Sequence, residues 1–96
     1  MSLQWDPKDP NEVLDYDIDW SQRLDSGDTI STSSWSVVSP DAALVIDSNT
    51  HSGTATKVWL SGGTVLEQGA YLVRNRIVTA NGRTMDQSVK LRIKEK

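Results

Sequence analysis

Seven residues near the start of the chain alternate between apolar and acidic side chains. The apolar members occupy every second position and the aspartates the positions between them: Leu14, Tyr16, Ile18 and Trp20 against Asp15, Asp17 and Asp19. Successive side chains of a β-strand point to opposite faces, so a period of two is typical of a strand with one buried and one solvated face. The pattern therefore predicts a half-buried strand over residues 14–20, with the carboxylates in solvent.

Further strand-like segments follow, separated by turn signals. They are predicted at residues 29–38, 43–46, 54–60, 71–79 and 87–93. Residues 47–53 are predicted to be a polar loop and residues 64–69 a linker. Ile30 and Trp35 fall on opposite faces in strict alternation, which predicts a β-bulge near residues 32–34. The last two strands should form a hairpin, because Asn81-Gly82 between them suits a type I′ turn.

The length and composition favour a single small β domain. The chain has 96 residues, 36% of them hydrophobic, and no cysteine. Pro7 and Pro10 disfavour helix at the residues before them, so residues 1–12 are predicted to be an extended arm and residues 13–96 one domain. About six to seven short strands with frequent turn signals predict an all-β fold, an antiparallel β-sandwich. Trp20 and Trp35 are expected in its core.

The segment Gly69–Thr84 combines a Gly-x-Tyr-x-Val strand with the turn Thr79-Ala80-Asn81-Gly82. It resembles the closing hairpin of PKD-type and related immunoglobulin-like domains. The resemblance implies an immunoglobulin-like sandwich. The cysteine pair of antibody domains is missing, which excludes the antibody-type subfamily but not the fold.

The chain as a whole is similar to small proteins encoded in the structural-gene clusters of tailed phages and prophages. The shared motifs, spread over residues 9–93, are Asp-Tyr-x-Ile-Asp-Trp-Ser at 15–21, Gly-Asp-Thr-Ile at 27–30, Ser-x-Trp-x-Val at 33–37 and Val-Trp-Leu-Ser-Gly-Gly at 58–63. This similarity implies a virion or assembly component without catalytic residues. Such a protein is expected in the virion, or in the host cytoplasm during assembly, without a signal peptide.

Metal and cofactor chemistry is not expected. The run Asp15, Asp17, Asp19 opens like a calcium loop, but Trp20 and Ser26 stand where that loop needs Gly and Glu. Carboxylates two apart on a strand are about 6.5–7 Å apart, too far to chelate one ion closely. His51 is the only histidine, and one histidine without cysteine does not make a typical zinc site. No nucleophile motif is present, so the chain is predicted not to be an enzyme.

The charges are expected to separate onto two faces. Inward-pointing apolar residues in the last two strands would leave five cations on one outer face: Arg74, Arg76, Lys90, Arg92 and Lys94. The aspartate strand belongs to the other sheet of an immunoglobulin-like fold. Opposed charged faces suggest head-to-tail self-association or docking onto a complementary virion surface. The alternative is two ordinary solvated faces. The net charge of −3 argues against nucleic-acid binding, and no apolar run approaches the ~20 residues of a membrane span.

Trp59 is the remaining candidate for a contact. It points outward if Val58 and Leu60 point inward, and an exposed Trp is a typical interface anchor. Equally, it could pack beneath the arm against Trp5 or Pro7. The leading hypothesis is a non-catalytic structural or interaction module with a protein partner. The alternative is a carbohydrate- or cell-surface-binding sandwich, in which exposed aromatic residues would form a platform.

Overall fold

The computed structural model describes residues 3–66 and 69–96, and every element in these residues is a strand. The strands are β1 (Leu3–Gln4), β2 (Leu14–Asp19), β3 (Ile30–Ser39), β4 (Leu44–His51), β5 (Ala55–Gly62), β6 (Tyr71–Thr79) and β7 (Thr84–Leu91). The predicted all-β fold is confirmed. The first two residues of the predicted arm and residues 67–68 of the predicted linker lie outside the described residues. Within the described ranges no helix is long and apolar enough to span a membrane.

The strands form two sheets that pack as a sandwich. One sheet has the order β1-β7-β6-β3 and the other the order β2-β5-β4. All neighbours are antiparallel except β1 and β7, which run parallel. The core lies between the sheets and is built from inward side chains of both: Ile18, Trp20, Ile30, Leu44, Val58, Leu60, Tyr71, Val73, Ile77, Val89, Leu91 and Ile93.

Strand β2 follows the alternation in the sequence. Ile18 and Trp20 are buried, Leu14 and Tyr16 are half-buried, and the three aspartates are exposed. The strand pairs with β5 from Leu14 opposite Leu60 to Asp19 opposite Ala55.

Strand β3 contains the predicted irregularity at a slightly earlier position. Its register with β6 shifts between Ile30 and Thr32, and again between Val37 and Ser39. The extra residue changes the phase of the alternation, so that Ile30 is buried and Trp35 also packs against the core.

Two local predictions are wrong. Residues 47–51 are strand rather than loop, because β4 passes a bulge between Ile46 and Ser48 and keeps its pairing with β5 as far as His51. The polar side chains of that stretch are exposed, so they are compatible with a strand at the edge of a sheet.

The turn between β6 and β7 is also not a type I′ turn. Only glycines have positive φ among the described residues, so Asn81 does not, whereas Gly82 has φ 87°. The N–H of Thr79 donates to Arg83 O at 2.8 Å, which closes a three-residue loop with Gly82 in the left-handed region. Asp28 fixes this loop by accepting a hydrogen bond from Asn81 N at 3.1 Å. Burial opposes ionisation of Asp28, but hydrogen bonds from Thr79, Asn81 and Thr29 outweigh it and lower its pKa.

The N-terminal arm lies along the β7 edge. Leu3 and Gln4 pair with Val89 and Lys90, and Lys8 forms a bridge with Ile93. Lys8 is fully buried, and its Nζ donates to Gly62 O at 2.7 Å and Asp9 O at 2.9 Å. Buried ammonium groups need such partners, because an unpaired charge away from water is costly.

A polar network crosses the core at Asn75. Its Oδ1 accepts hydrogen bonds from Trp20 Nε1 at 3.0 Å and Thr56 Oγ1 at 2.7 Å, both in or beside the three-stranded sheet. Its Nδ2 donates to Ser33 Oγ and Ser34 O of β3, each at 2.9 Å. Asn75 therefore links β3, β6 and the opposite sheet through one fully buried amide.

Candidate interaction surfaces

The outer face of the three-stranded sheet carries the exposed aspartates. We call it the acidic face and define it by five residues: Asp15, Asp17, Asp19, Lys57 and Trp59. The register places Asp15 opposite Trp59 and Asp17 opposite Lys57. Lys57 Nζ lies 3.5 Å from Asp15 Oδ2, and both side chains are largely in solvent, so this ion pair contributes little. Three carboxylates thus face one ammonium, and the face stays negative.

Trp59 points outward from the middle strand of the acidic face. Its neighbours in the chain, Val58 and Leu60, are fully buried, and Trp59 is 38% exposed. It lies between Asp15 of β2 and Ser48 of β4. The arm residue Trp5 instead stacks on Tyr16, with ring centroids 4.7 Å apart.

The outer face of the four-stranded sheet carries the cations. We call it the basic face and define it by Arg74, Arg76, Lys90 and Arg92. The inward residues of β6 and of the second half of β7 are buried, so these four alternate outward. Arg74 lies opposite Ser88, and Lys90 lies opposite Leu72. Arg74 and Arg92 are therefore on one face, as the sequence predicted, and Lys94 is exposed just beyond β7.

One carboxylate on the basic face is not part of the predicted set. Asp86 lies opposite Arg76 and accepts two hydrogen bonds from its guanidinium, at 2.8 and 3.0 Å. The pair lowers the pKa of Asp86 and raises the pKa of Arg76. Asp86 falls outside the predicted strand 87–93, so no pairing partner for Arg76 was predicted.

Arg74 lies on the β3 side of this face and, like Arg92 near its other side, has no ion pair among the described residues. Beside Arg74 a hollow of about 180 Å³ opens, and its lining residues are Ser34, Trp35, Ser36, Arg74 and Arg76. Two serines and two guanidinium groups around a small hollow suit an anionic group.

Neither a candidate metal centre nor an acidic residue or histidine in the largest hollow described below is present among the described residues. Among residues 3–66 and 69–96, no group of three or more His, Cys, Asp or Glu side chains could hold a metal ion. A hollow of about 620 Å³ at the end of the basic face is lined by Gln4, Gly69, Ala70, Tyr71, Leu72, Lys90 and Arg92. This lining contains cations without a carboxylate or histidine, a set suited to binding.

Both faces fall inside the region that matches a known family. Residues 8–92 match the model of a family described as podophage GP4 fiber-tail adaptor protein gp77. No curated protein matches the chain. The matched range includes every residue of the acidic and basic faces, together with Asn75 and Lys8.

Proposed function

We propose, since the chain belongs to the podophage GP4 fiber-tail adaptor protein gp77 family, that it is a non-catalytic structural protein of a phage virion. In this role it joins protein partners through the two outer faces of its sandwich. The observation that carries the proposal is the opposite charge of these faces. An adaptor holds two neighbours at once, and opposed faces of one small domain can do so without competing for residues.

The charges and Trp59 would have different tasks in such contacts. Complementary charge mainly steers association and selects the partner. Affinity usually comes from a few large side chains at the centre of an interface, among which Trp is enriched. Trp59 stands in the middle strand of the acidic face, which is the position expected of such an anchor.

Strand order and one tyrosine support an immunoglobulin-like identity for the sandwich. The groupings β2-β5-β4 and β3-β6-β7 follow the B-E-D and C-F-G groupings of immunoglobulin domains. Tyr71 is the first residue of β6, and its hydroxyl accepts a hydrogen bond from Thr64 N at 2.8 Å. That contact is similar to the tyrosine corner at the start of strand F.

Carbohydrate binding is the second candidate. The exposed ring of Trp59 has a carboxylate on one side, at Asp15, and a hydroxyl on the other, at Ser48. An aromatic ring beside polar groups can stack on a sugar. Binding to a glycan array that disappears in Trp59→Ala would favour this candidate over the structural one.

The test is binding of the purified protein to the tail and fiber proteins of the phage that encodes it. One variant reverses the acidic face (Asp15→Lys with Asp17→Lys) and another the basic face (Arg74→Glu with Arg92→Glu). We expect each variant to bind one of the two proteins at least tenfold more weakly than the wild type does and to bind the other with unchanged affinity. Arg83→Glu, in an exposed ion pair outside both faces, is the matched control. If the wild type binds neither protein, or both variants keep both partners, the proposal is wrong.

Light scattering after size-exclusion chromatography, at low and high salt, distinguishes a protein whose faces bind other proteins from one whose faces bind each other. If the protein is a monomer at every salt concentration, head-to-tail association through the two faces is excluded. Oligomers that dissociate as salt rises would mean that the partner of each face is a second copy.

A further inference from the structure

The four-stranded sheet ends at β3 with an unblocked edge. This strand has a hydrogen-bonded neighbour on one side only, β6. Its middle, residues 32–37, is regular and lies between the two register shifts. The strand contains no charged residue and no proline. Charges and prolines are what proteins commonly use to keep an edge strand from pairing with another chain.

The other sheet edges in the described residues are shorter, charged or interrupted near their middle. Strand β1 is two residues long. Strand β2 carries an aspartate at every second position, and the carbonyl of Asp17 already accepts a hydrogen bond from Trp5 Nε1 at 3.1 Å. Strand β4 is interrupted between Ile46 and Ser48, where Asp47 stands. The contrast marks β3 as the edge at which a further strand can add.

An apolar groove borders this edge on the inner side. It has a volume of about 420 Å³, and its lining residues are Val37, Val38, Pro40, Asp41, Ala42, Leu44, Val45 and Ile46. Val38 and Val45 are 45% and 46% exposed. The inward residues Trp35 and Val37 are only half-buried, unlike the inward residues of β6. A side chain that entered from outside would cover this surface.

The small hollow beside Arg74 borders the same edge on the outer side. Adjacent strands lie about 4.8 Å apart, so a strand added to β3 would place its outer side chains next to Ser34 and Ser36. Serine side chains are short, and Arg74 can reach past Ser36, which lies opposite it in the register. Arg76 is already held by Asp86, so Arg74 is the group that would receive a carboxylate.

We infer that the β3 edge is the docking site for an extended segment of a partner protein. The segment adds as a strand beside β3, places a carboxylate on Arg74 and an apolar side chain in the groove, and therefore alternates acidic and apolar residues with a period of two. The chain's own segment of this kind, residues 14–19, is already paired with β5, so a second copy does not supply it. The inference rests on the proposed function and specifies the chemistry of one partner.

The experiment uses peptides of 12 residues that tile the tail and fiber proteins of the encoding phage. We expect acidic-apolar peptides to bind and to slow hydrogen exchange of backbone amides in residues 32–37. Arg74→Ala should weaken their binding at least tenfold and reduce its salt dependence. Arg83→Ala is the matched control and should leave binding unchanged.

Two proline variants test the backbone contact itself. Consecutive residues of a strand direct their N–H groups to opposite sides, so one of Ser33→Pro and Ser34→Pro removes an N–H from the free edge and the other from the β6 pairing. One variant should keep its circular dichroism and lose peptide binding, and the other should lose stability. Ser33→Ala is the matched control for Ser33→Pro, because both remove the Oγ that accepts a hydrogen bond from Asn75 Nδ2. Peptide binding unchanged in the folded variant would overturn the inference.

The outcomes separate this inference from the proposed function. If intact tail or fiber proteins bind through the charged faces while residues 32–37 gain no protection, the docking site is wrong and the adaptor function stands. If neither the tail protein nor the fiber protein binds in its intact form, the proposed adaptor function is wrong, and the docking inference that rests on it is wrong as well. A dimer that protects residues 32–37 would make a second copy the occupant and overturn the assignment of the partner.

Discussion

The sandwich has two lateral openings between its sheets, and the N-terminal arm covers only one of them. The arm side, between β7 and β2, is covered by residues 3–9. Trp5 joins both sheets there, because its backbone N–H donates to Lys90 O at 3.0 Å and its indole N–H donates to Asp17 O at 3.1 Å. The groove side, between β3 and β4, has no such cover among the described residues, and Val38 and Val45 remain exposed.

This difference shows that two sheets of this size do not enclose their core without help. Where the arm is present, apolar and aromatic side chains stack on one another, as Trp5 does on Tyr16. Where it is absent, Trp35 and Val37 of β3 and Ile46 of β4 are half-buried, and Val38 and Val45 are exposed. The arm side is therefore expected to contribute stability, and the groove side to be available for a contact.

Removal of the aromatic side chain of Trp5 in the arm should have the largest effect on stability. Trp5→Ala deletes the stack on Tyr16 and the hydrogen bond to β2, and we expect a loss of about 3 kcal/mol in the free energy of unfolding. Urea unfolding monitored by circular dichroism measures it. Trp59→Ala is the matched control, since that ring is on the outer face, and it should cost less than about 1 kcal/mol. Equal losses would mean that the arm does not close the core.

The buried lysine of the arm should have a smaller, pH-dependent effect. Lys8→Met removes two hydrogen bonds to carbonyl groups, which should cost about 1–2 kcal/mol near pH 7. Burial lowers the pKa of Lys8 below its ordinary 10.5, against the opposing effect of Glu12 and Asp9. The unfolded chain then holds this proton more tightly than the folded chain.

The sign of the pH effect follows from that shift. Between the lowered pKa and 10.5, the stability of the wild type should rise with pH relative to Lys8→Met. Denaturant unfolding of both proteins from pH 7 to pH 10 tests this. If the difference in the free energy of unfolding between the wild type and Lys8→Met stays constant or falls as pH rises, burial is not the dominant influence on the pKa of Lys8.

Substitutions on the groove side should have the smallest effect on the isolated protein. Val38→Thr combined with Val45→Thr changes two exposed side chains, and we expect less than about 0.5 kcal/mol per site. Thermal unfolding measures the effect on stability, and the tiled peptides measure the effect on binding. A large loss of stability would mean that the groove belongs to the core of the monomer.

The sequence was sufficient to predict elements in which one side of a strand is uniformly apolar. The alternation at 14–20 and the burial of Val58 and Leu60 follow directly from residue order. The common outer face of Arg74 and Arg92 follows from the same alternation together with the predicted pairing of the last two strands.

Features that depend on distant partners were not predictable. Residues 47–51 look like a loop because their side chains are polar, and only pairing with β5 makes them a strand. Asn81-Gly82 favours a two-residue turn, but Asp28 and Thr29 hold the loop from another part of the chain. A lysine in a polar segment is expected at the surface, and Lys8 can be buried only because the fold places Gly62 O within hydrogen-bond distance of its Nζ.

The position of β7 between β1 and β6 sets an order of events during synthesis of the protein. Trp5 needs the carbonyl of Lys90, and Lys8 needs the carbonyl of Arg92. Contacts so far apart in the chain form late and slowly. Residues 5–8 are synthesised before residues 90–92 and must therefore wait for them, and until then the nascent sandwich is open on both sides.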